Sequence, residues 1–268
     1  MGMTPGLFIG IGGTGLKTLT RLKVKIYNQY ILAGATKDDF ERENHFIFID
    51  TDENDKSALQ NDPIVRKGYP DLLIKNDEFI NMGETNPYAI YTLDKEKKNL
   101  LPKPKRMMEW VVPQGKGKFI LRNQKLSKGA GAERNVGRFG TYSCYEEICQ
   151  NINAGISKLN LYLGKQNITP PNDSDDEDIK KAYKKKVADS QAPIWVFASA
   201  NGGTGSSSLL DILYIIDRQY QRIIQAEPSL RVVLYMPETF KKMNLGNENY
   251  SLNAFSTFWE LNAFKSDR

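Results

Sequence analysis

Short apolar runs alternate along this chain with longer stretches in which apolar residues recur at helical spacing. Gly6-Leu-Phe-Ile-Gly-Ile11 is one such run, and Leu16, Leu19, Leu22, Ile26 and Tyr30 follow it at intervals of three and four. That order predicts strand, tight turn and helix. A second run, Phe46-Ile-Phe-Ile49, stops at Asp50-Thr51-Asp52. The first 52 residues therefore read as a βαβ unit on a buried parallel sheet, with both strand ends brought to one edge by a right-handed crossover. Ile194-Trp-Val-Phe-Ala198 predicts another buried strand, Asn201 to Ser206 a glycine turn, and Leu209, Leu213, Ile216, Tyr220 and Ile224 the stripe of a second long helix. Arg231 to Met236 predicts a further strand, stopped by Pro237, and Leu252 to Phe264 a last amphipathic segment.

Between these units the pattern is weaker. Six prolines from Pro63 to Pro113 interrupt residues 55 to 128, which read as a long excursion with short helices. From Tyr142 onward, Tyr145, Ile148, Ile152, Ile156, Leu159 and Leu163 trace one face of a long helix. Asp173 to Asp178 holds five acids in six residues and is followed by five lysines from Lys180 to Lys186; charge blocks of this kind predict a solvated or disordered insertion. The implied fold class is α/β: a three-layer Rossmann-like parallel sheet with helices on both faces. Residues 1–268 read as one domain with insertions at about 55–128 and 165–192.

Composition narrows this picture. With 268 residues, 40% of them hydrophobic and 26% charged, the chain has the profile of a globular protein that can bury a continuous core. Its two cysteines, Cys144 and Cys149, exclude a disulfide scaffold or a four-cysteine zinc site and point to a reducing compartment. No apolar run reaches the roughly 18 residues of a membrane span, so a cytoplasmic location is expected. The net charge of +5 is unevenly placed: residues 94 to 128 hold eleven basic and three acidic residues, so the remainder is slightly acidic. Nucleic acid is therefore not indicated as a partner.

The candidate chemistry lies in the turns. Gly10-Ile-Gly12-Gly13-Thr14-Gly15 satisfies G-x-G-x-x-G between strand and helix. Glycines let backbone N–H groups approach an anion, and a helix N-terminus adds unpaired donors and positive potential. A nicotinamide site would want an acid about 20 residues further on, whereas Asp50 and Asp52 lie 35 and 37 residues past Gly15. A Walker loop would need lysine where Leu16 stands; Lys17 is one place late, a rotation of about 100° on a helix. The single histidine, His45, sits at a strand start and reads as a strand-edge residue. A second loop, Gly202-Gly203-Thr204-Gly205-Ser206, also joins a strand to a helix, and two such loops suit a ligand with several phosphates. A third, Gly129-Ala130-Gly131-Ala132-Glu133-Arg134-Asn135-Val136-Gly137-Arg138, permits close approach and offers Arg134 or Arg138 to phosphate charge.

Taken in order, Gly-Ile-Gly-Gly-Thr-Gly, a strand ending Asp-Thr-Asp, Gly-Ala-Gly-x-x-x-x-Val-Gly-Arg and Gly-Gly-Thr-Gly-Ser resemble the tubulin/FtsZ GTPase superfamily, and within it the bacterial tubulin-like proteins. The four motifs span roughly residues 6 to 225. The resemblance implies phosphate binding by Gly10, Gly12, Gly13, Thr14 and Gly15 and by Gly202, Gly203, Thr204, Gly205 and Ser206. It further implies γ-phosphate contact by Ala130, Gly131 and Ala132. Asp50, where FtsZ commonly has Asn, implies Mg²⁺ nearby, with Thr51, Asp52, Arg134 and Arg138 around the phosphates or metal. Glu238 would accept from the ribose and Asn253 would read the base. GTP or GDP with Mg²⁺ is the implied cofactor set, and head-to-tail self-association into filaments the implied partnership, with hydrolysis completed by acids from the neighbouring subunit. The family's central helix, acid-bearing loop and second domain are expected outside this chain, making it part of a longer protein; the alternative is a degenerate nucleotide-binding module. Two other function classes stay open: a Rossmann NAD(P)- or FAD-dependent oxidoreductase, and a non-hydrolysing nucleotide-binding scaffold.

Overall fold

The computed structural model describes residues 5–86, 125–190, 192–238 and 249–266. Most of the basic segment, and Thr239 beside Glu238, lie outside them.

Five strands form one sheet: β1 (Gly6–Ile11), β2 (Asn44–Asp50), β3 (Phe79–Asn81), β4 (Ile194–Ser199) and β5 (Leu230–Tyr235), in the order β3-β2-β1-β4-β5. Every pairing is parallel. The registers Ile11↔Ile49 and Ile11↔Ala198 bring the C-terminal ends of β2, β1 and β4 level. Glycine turns after β1 and β4 therefore open side by side at that edge.

Alternate residues of the strands serve opposite faces, as a pleated sheet requires. Leu7, Ile9 and Ile11 join Ile47 and Ile49 in one buried cluster, while Phe8, Phe46 and Phe48 build the other. The aromatic face is covered by α1 (Gly12–Leu32) and α2 (Lys37–Glu43), through Leu16, Leu19, Tyr30 and Phe40. Two short helices follow β2, α3 (Glu53–Gln60) and α4 (Pro63–Gly68). The aliphatic face is covered by α6 (Tyr145–Lys165) and α8 (Gly203–Ile224), with α7 (Glu177–Asp189) outside them. The fold is thus the expected three-layer α/β arrangement.

Four local expectations are corrected. The helix anticipated from Tyr142 is two helices, α5 (Arg134–Ser143) and α6, with the chain turning at Cys144. Gly137 lets α5 press against the start of α8: a Cβ there would lie 2.5 Å from the Gly203 carbonyl oxygen. The lysine block and the end of the acidic block form α7, while residues 173–176 lie in the turn before it. Asp176 caps its N-terminus by accepting from Asp178 and Ile179 N–H, and Tyr183 and Val187 are buried against the aliphatic core. β3, only three residues long, carries too little pattern to be read in advance. Finally, α9 (Asn249–Ser266) is not amphipathic in the usual sense. It turns Asn253, Ala254 and Thr257 inward, and leaves Leu252, Phe255 and Trp259 exposed. Among the described residues no helix is long and apolar enough to cross a membrane.

Candidate functional site

Where the strand ends meet, a cleft of about 750 Å³ opens, within the usual range of about 300–1,000 Å³ for small-molecule sites. Its floor comes from the two glycine turns. Gly12, at φ +70°, needs the left-handed conformation that glycine alone adopts freely, and a Cβ there would lie 3.1 Å from Gly205 N. The two turns thus touch. Gly12, Gly13 and Thr14 line the cleft from the first; Gly202, Gly203, Thr204 and Gly205 line it from the second.

Capping separates these helices from three others, though not from α5, which also starts without a side-chain cap or a first-turn acid. The N-termini of α2, α3 and α7 are closed by the side chains of Thr36, Asp52 and Asp176. Neither α1 nor α8 has a side-chain cap, and neither carries an acid in its first turn. Both therefore present first-turn N–H groups and positive dipole ends toward one cleft, which is an anion-binding arrangement.

Both signs of charge line the rest of the cleft. Lys17, Arg21 and Lys25 come from one face of α1, and Lys128 from just before the third loop. Asp50, Asp52 and Asp55 lie among them, with Lys128 in a backbone bridge to Asp52 and Lys17 acting on Asp55. Asp50 is 2% exposed; its Oδ1 accepts from Thr51 N–H at 2.7 Å while its Oδ2 has no partner. Burial, reinforced by the neighbouring Asp55 carboxylate, pushes the Asp50 carboxyl up to about 7. Asp55 is raised too, by burial and then by Asp52, with Lys17 pulling the other way. Its carboxylate lies over Gly13, where a Cβ would collide with it. Phe197, Ser199, Asn201, Tyr235 and Tyr250 also line the cleft, with the Tyr235 hydroxyl accepting from Thr18 of α1 at 2.8 Å.

Several residues singled out from sequence hold the site together, most of them without lining it. Gly10 and Gly15 pack on each other, and Gly15 lets α1 approach the Phe197 carbonyl of β4. Thr51 and Thr204 share a hydrogen bond of 2.7 Å between their hydroxyls, tying the loop after β2 to the start of α8. Ala130 is buried beneath Gly203, and Ala132 adopts φ +62°; of the third-loop candidates only Gly131 reaches the cleft. Ser206 accepts at its carbonyl from Arg134, which also pairs with Glu260 of α9.

Three expected contacts are placed elsewhere. Arg138 forms a two-point ion pair with Asp211, at 2.9 and 2.8 Å, and does not line the cleft. Asn253 Nδ2 donates to the Ala132 and Asn201 carbonyls at 2.9 and 2.7 Å, so its amide joins the third loop to the β4 turn rather than facing a ligand. Glu238 is exposed and lies outside the lining. The lining residues overlooked were Asp55, Tyr235, Tyr250, Asn201 and the α1 stripe. Of these, the four-residue spacing of Lys17, Arg21 and Lys25 was a readable signal of a basic helix face.

Comparison with protein families matches residues 7–268 to the family described as tubulin like. No curated protein matches the chain.

Proposed function

The chain belongs to the tubulin-like family, and we propose that its cleft binds a guanine nucleotide, GTP or GDP, by the phosphates. The observation that carries this reading is the pair of uncapped helix N-termini, α1 and α8, that meet at touching glycine turns. Backbone N–H groups of both turns would surround the phosphate oxygens, with the Thr14 and Thr204 hydroxyls and the Lys17 and Lys128 ammonium groups adding donors. Strand order alone does not favour this over a dinucleotide enzyme, since both use it. The second glycine turn and the third loop do, because a dinucleotide's single pyrophosphate calls for one such turn.

The acids fit a hard divalent cation in this setting. No group of three or more His, Cys, Asp or Glu side chains among the described residues could hold a metal by itself. The orphaned Asp50 Oδ2, with Asp55 beside it, supplies the one or two carboxylates that Mg²⁺ takes alongside phosphate oxygens. When bound, the ion would neutralise charge between phosphates and carboxylates. Self-association and hydrolysis completed by a neighbouring subunit belong to the same proposal, supported by family membership.

Nucleotide released by denaturing the purified protein tests the ligand class: guanine nucleotide is expected, and a nicotinamide or flavin dinucleotide would overturn the reading. The loop assignment has its own check in Gly203→Leu. A Cβ at Gly203 would lie 2.6 Å from Ala130 Cβ, so a bulky side chain must force the second and third loops apart. Titration should show binding lost by about a hundredfold or more with circular dichroism unchanged; unaltered affinity would remove the assignment.

A further inference from the structure

We propose that the Asn201 side chain recognises the sugar of the bound nucleotide, pairing with two adjacent hydroxyl groups; this rests on the nucleotide-binding reading above. Asn201 lies two residues past the end of β4, immediately before Gly202, and lines the cleft. It is 1% exposed. Its backbone is fully engaged: the N–H donates to Ser199 Oγ at 3.2 Å and the carbonyl accepts from Asn253 Nδ2 at 2.7 Å. The side-chain Nδ2 and Oδ1, by contrast, are both buried with no partner. Buried amides are almost always paired, and leaving one unpaired is costly. An amide beside a cleft with a donor and an acceptor both unused can pair with a group that enters from outside, by a small side-chain rotation to meet it.

The chemistry of that group follows from the amide. Nδ2 needs an acceptor and Oδ1 needs a donor at a neighbouring atom. Phosphate oxygens only accept, so they would leave Oδ1 unpaired and facing an anion. A vicinal diol satisfies both: one hydroxyl accepts from Nδ2–H, the other donates to Oδ1. Position selects the same group. Asn201 directly precedes the phosphate turn, and Asn253 ties its carbonyl to α9, whose Tyr250 also lines the cleft. The part of a nucleotide next to its phosphates is the sugar; the base, whose edge also offers donors and acceptors, lies one sugar further away.

The full chain is titrated with GDP and with 2′,3′-dideoxy-GDP. The wild type is expected to prefer the diol by about tenfold or more, the usual effect of stranding buried polar groups. Asn201→Leu, which keeps the branching at Cγ but is larger, should bind both nucleotides alike, at the weaker level. Its unfolding midpoint without nucleotide should be equal or higher, because two stranded polar groups are gone; a merely structural asparagine would lower it. Should leucine prove too bulky to fold, Asn201→Ala adds no volume and carries the same expectation. Persistence of the wild-type preference in a folded variant overturns the assignment, as does a wild type that binds both nucleotides equally. A wild type that binds neither would instead overturn the nucleotide reading itself.

Discussion

At the scale of single residues, the site is built by side chains that face each other rather than the ligand. Asn253 and Arg134 offer groups that commonly contact ligands, but Asn253 is committed to backbone carbonyls of two loops and Arg134 to the Ser206 carbonyl in the first turn of α8. Sequence shows which groups a residue offers, not which partner reaches them first. His45 illustrates the opposite case, since its reading as a residue at a strand start agrees with its place in β2. Burial, and then the charge of Lys158, lowers its imidazole from 6.5 to about 4, against the raising effects of an Asn151 backbone hydrogen bond and of Asp77. Because the folded pKa is depressed, the folded state binds fewer protons than the unfolded chain between those values. Stability from a neutral His45 is therefore complete above about pH 6.5, falls as pH drops toward 4 and levels off below, a loss of about 3 kcal/mol. Urea unfolding of wild type and His45→Gln across this window should show the difference between them shrinking or reversing as pH falls; a constant difference would contradict it.

At the scale of elements, periodicity located the long helices and four strands, and failed where charge masked it. The acidic and basic blocks of residues 173–186 look like solvated chain, yet their order suits a helix: Asp176, Glu177 and Asp178 sit at the N-terminal end of α7 and Lys186 in its last turn. Acids at the positive end and lysines at the negative end favour the helix dipole, and Tyr183 and Val187, four apart, anchor it. The Tyr183 hydroxyl also donates to the Ile224 carbonyl at the end of α8. Tyr183→Ala should lower unfolding free energy by about 3 kcal/mol and speed amide exchange across α7 first. Exchange unchanged in α7 would mean that the helix is held by something other than this contact. The break at Cys144 had no comparable signal, because it depends on α5 packing against α8 from another part of the chain.

At the scale of the whole molecule, two uncapped helix ends at one sheet edge make the cleft, and the acids that line it set a charge balance that a cation would complete. If hydrolysis needs groups from a neighbouring subunit, turnover per chain should rise with protein concentration and be negligible in dilute solution. Brisk turnover independent of concentration would overturn that part of the proposal. The sequence by itself determined the α/β class, the two strand, glycine turn, helix units, the third loop and the family. These are local signals, carried by spacing within about 30 residues and by glycines whose backbone freedom no other residue shares. Only the tertiary structure decided which candidates line the cleft and which brace it, that Asp55 and Tyr250 belong to it, and that Asn201 stands there with its amide unpaired. Partners in space are set by packing between distant segments, and neither periodicity nor motif spacing encodes which polar group is left without one.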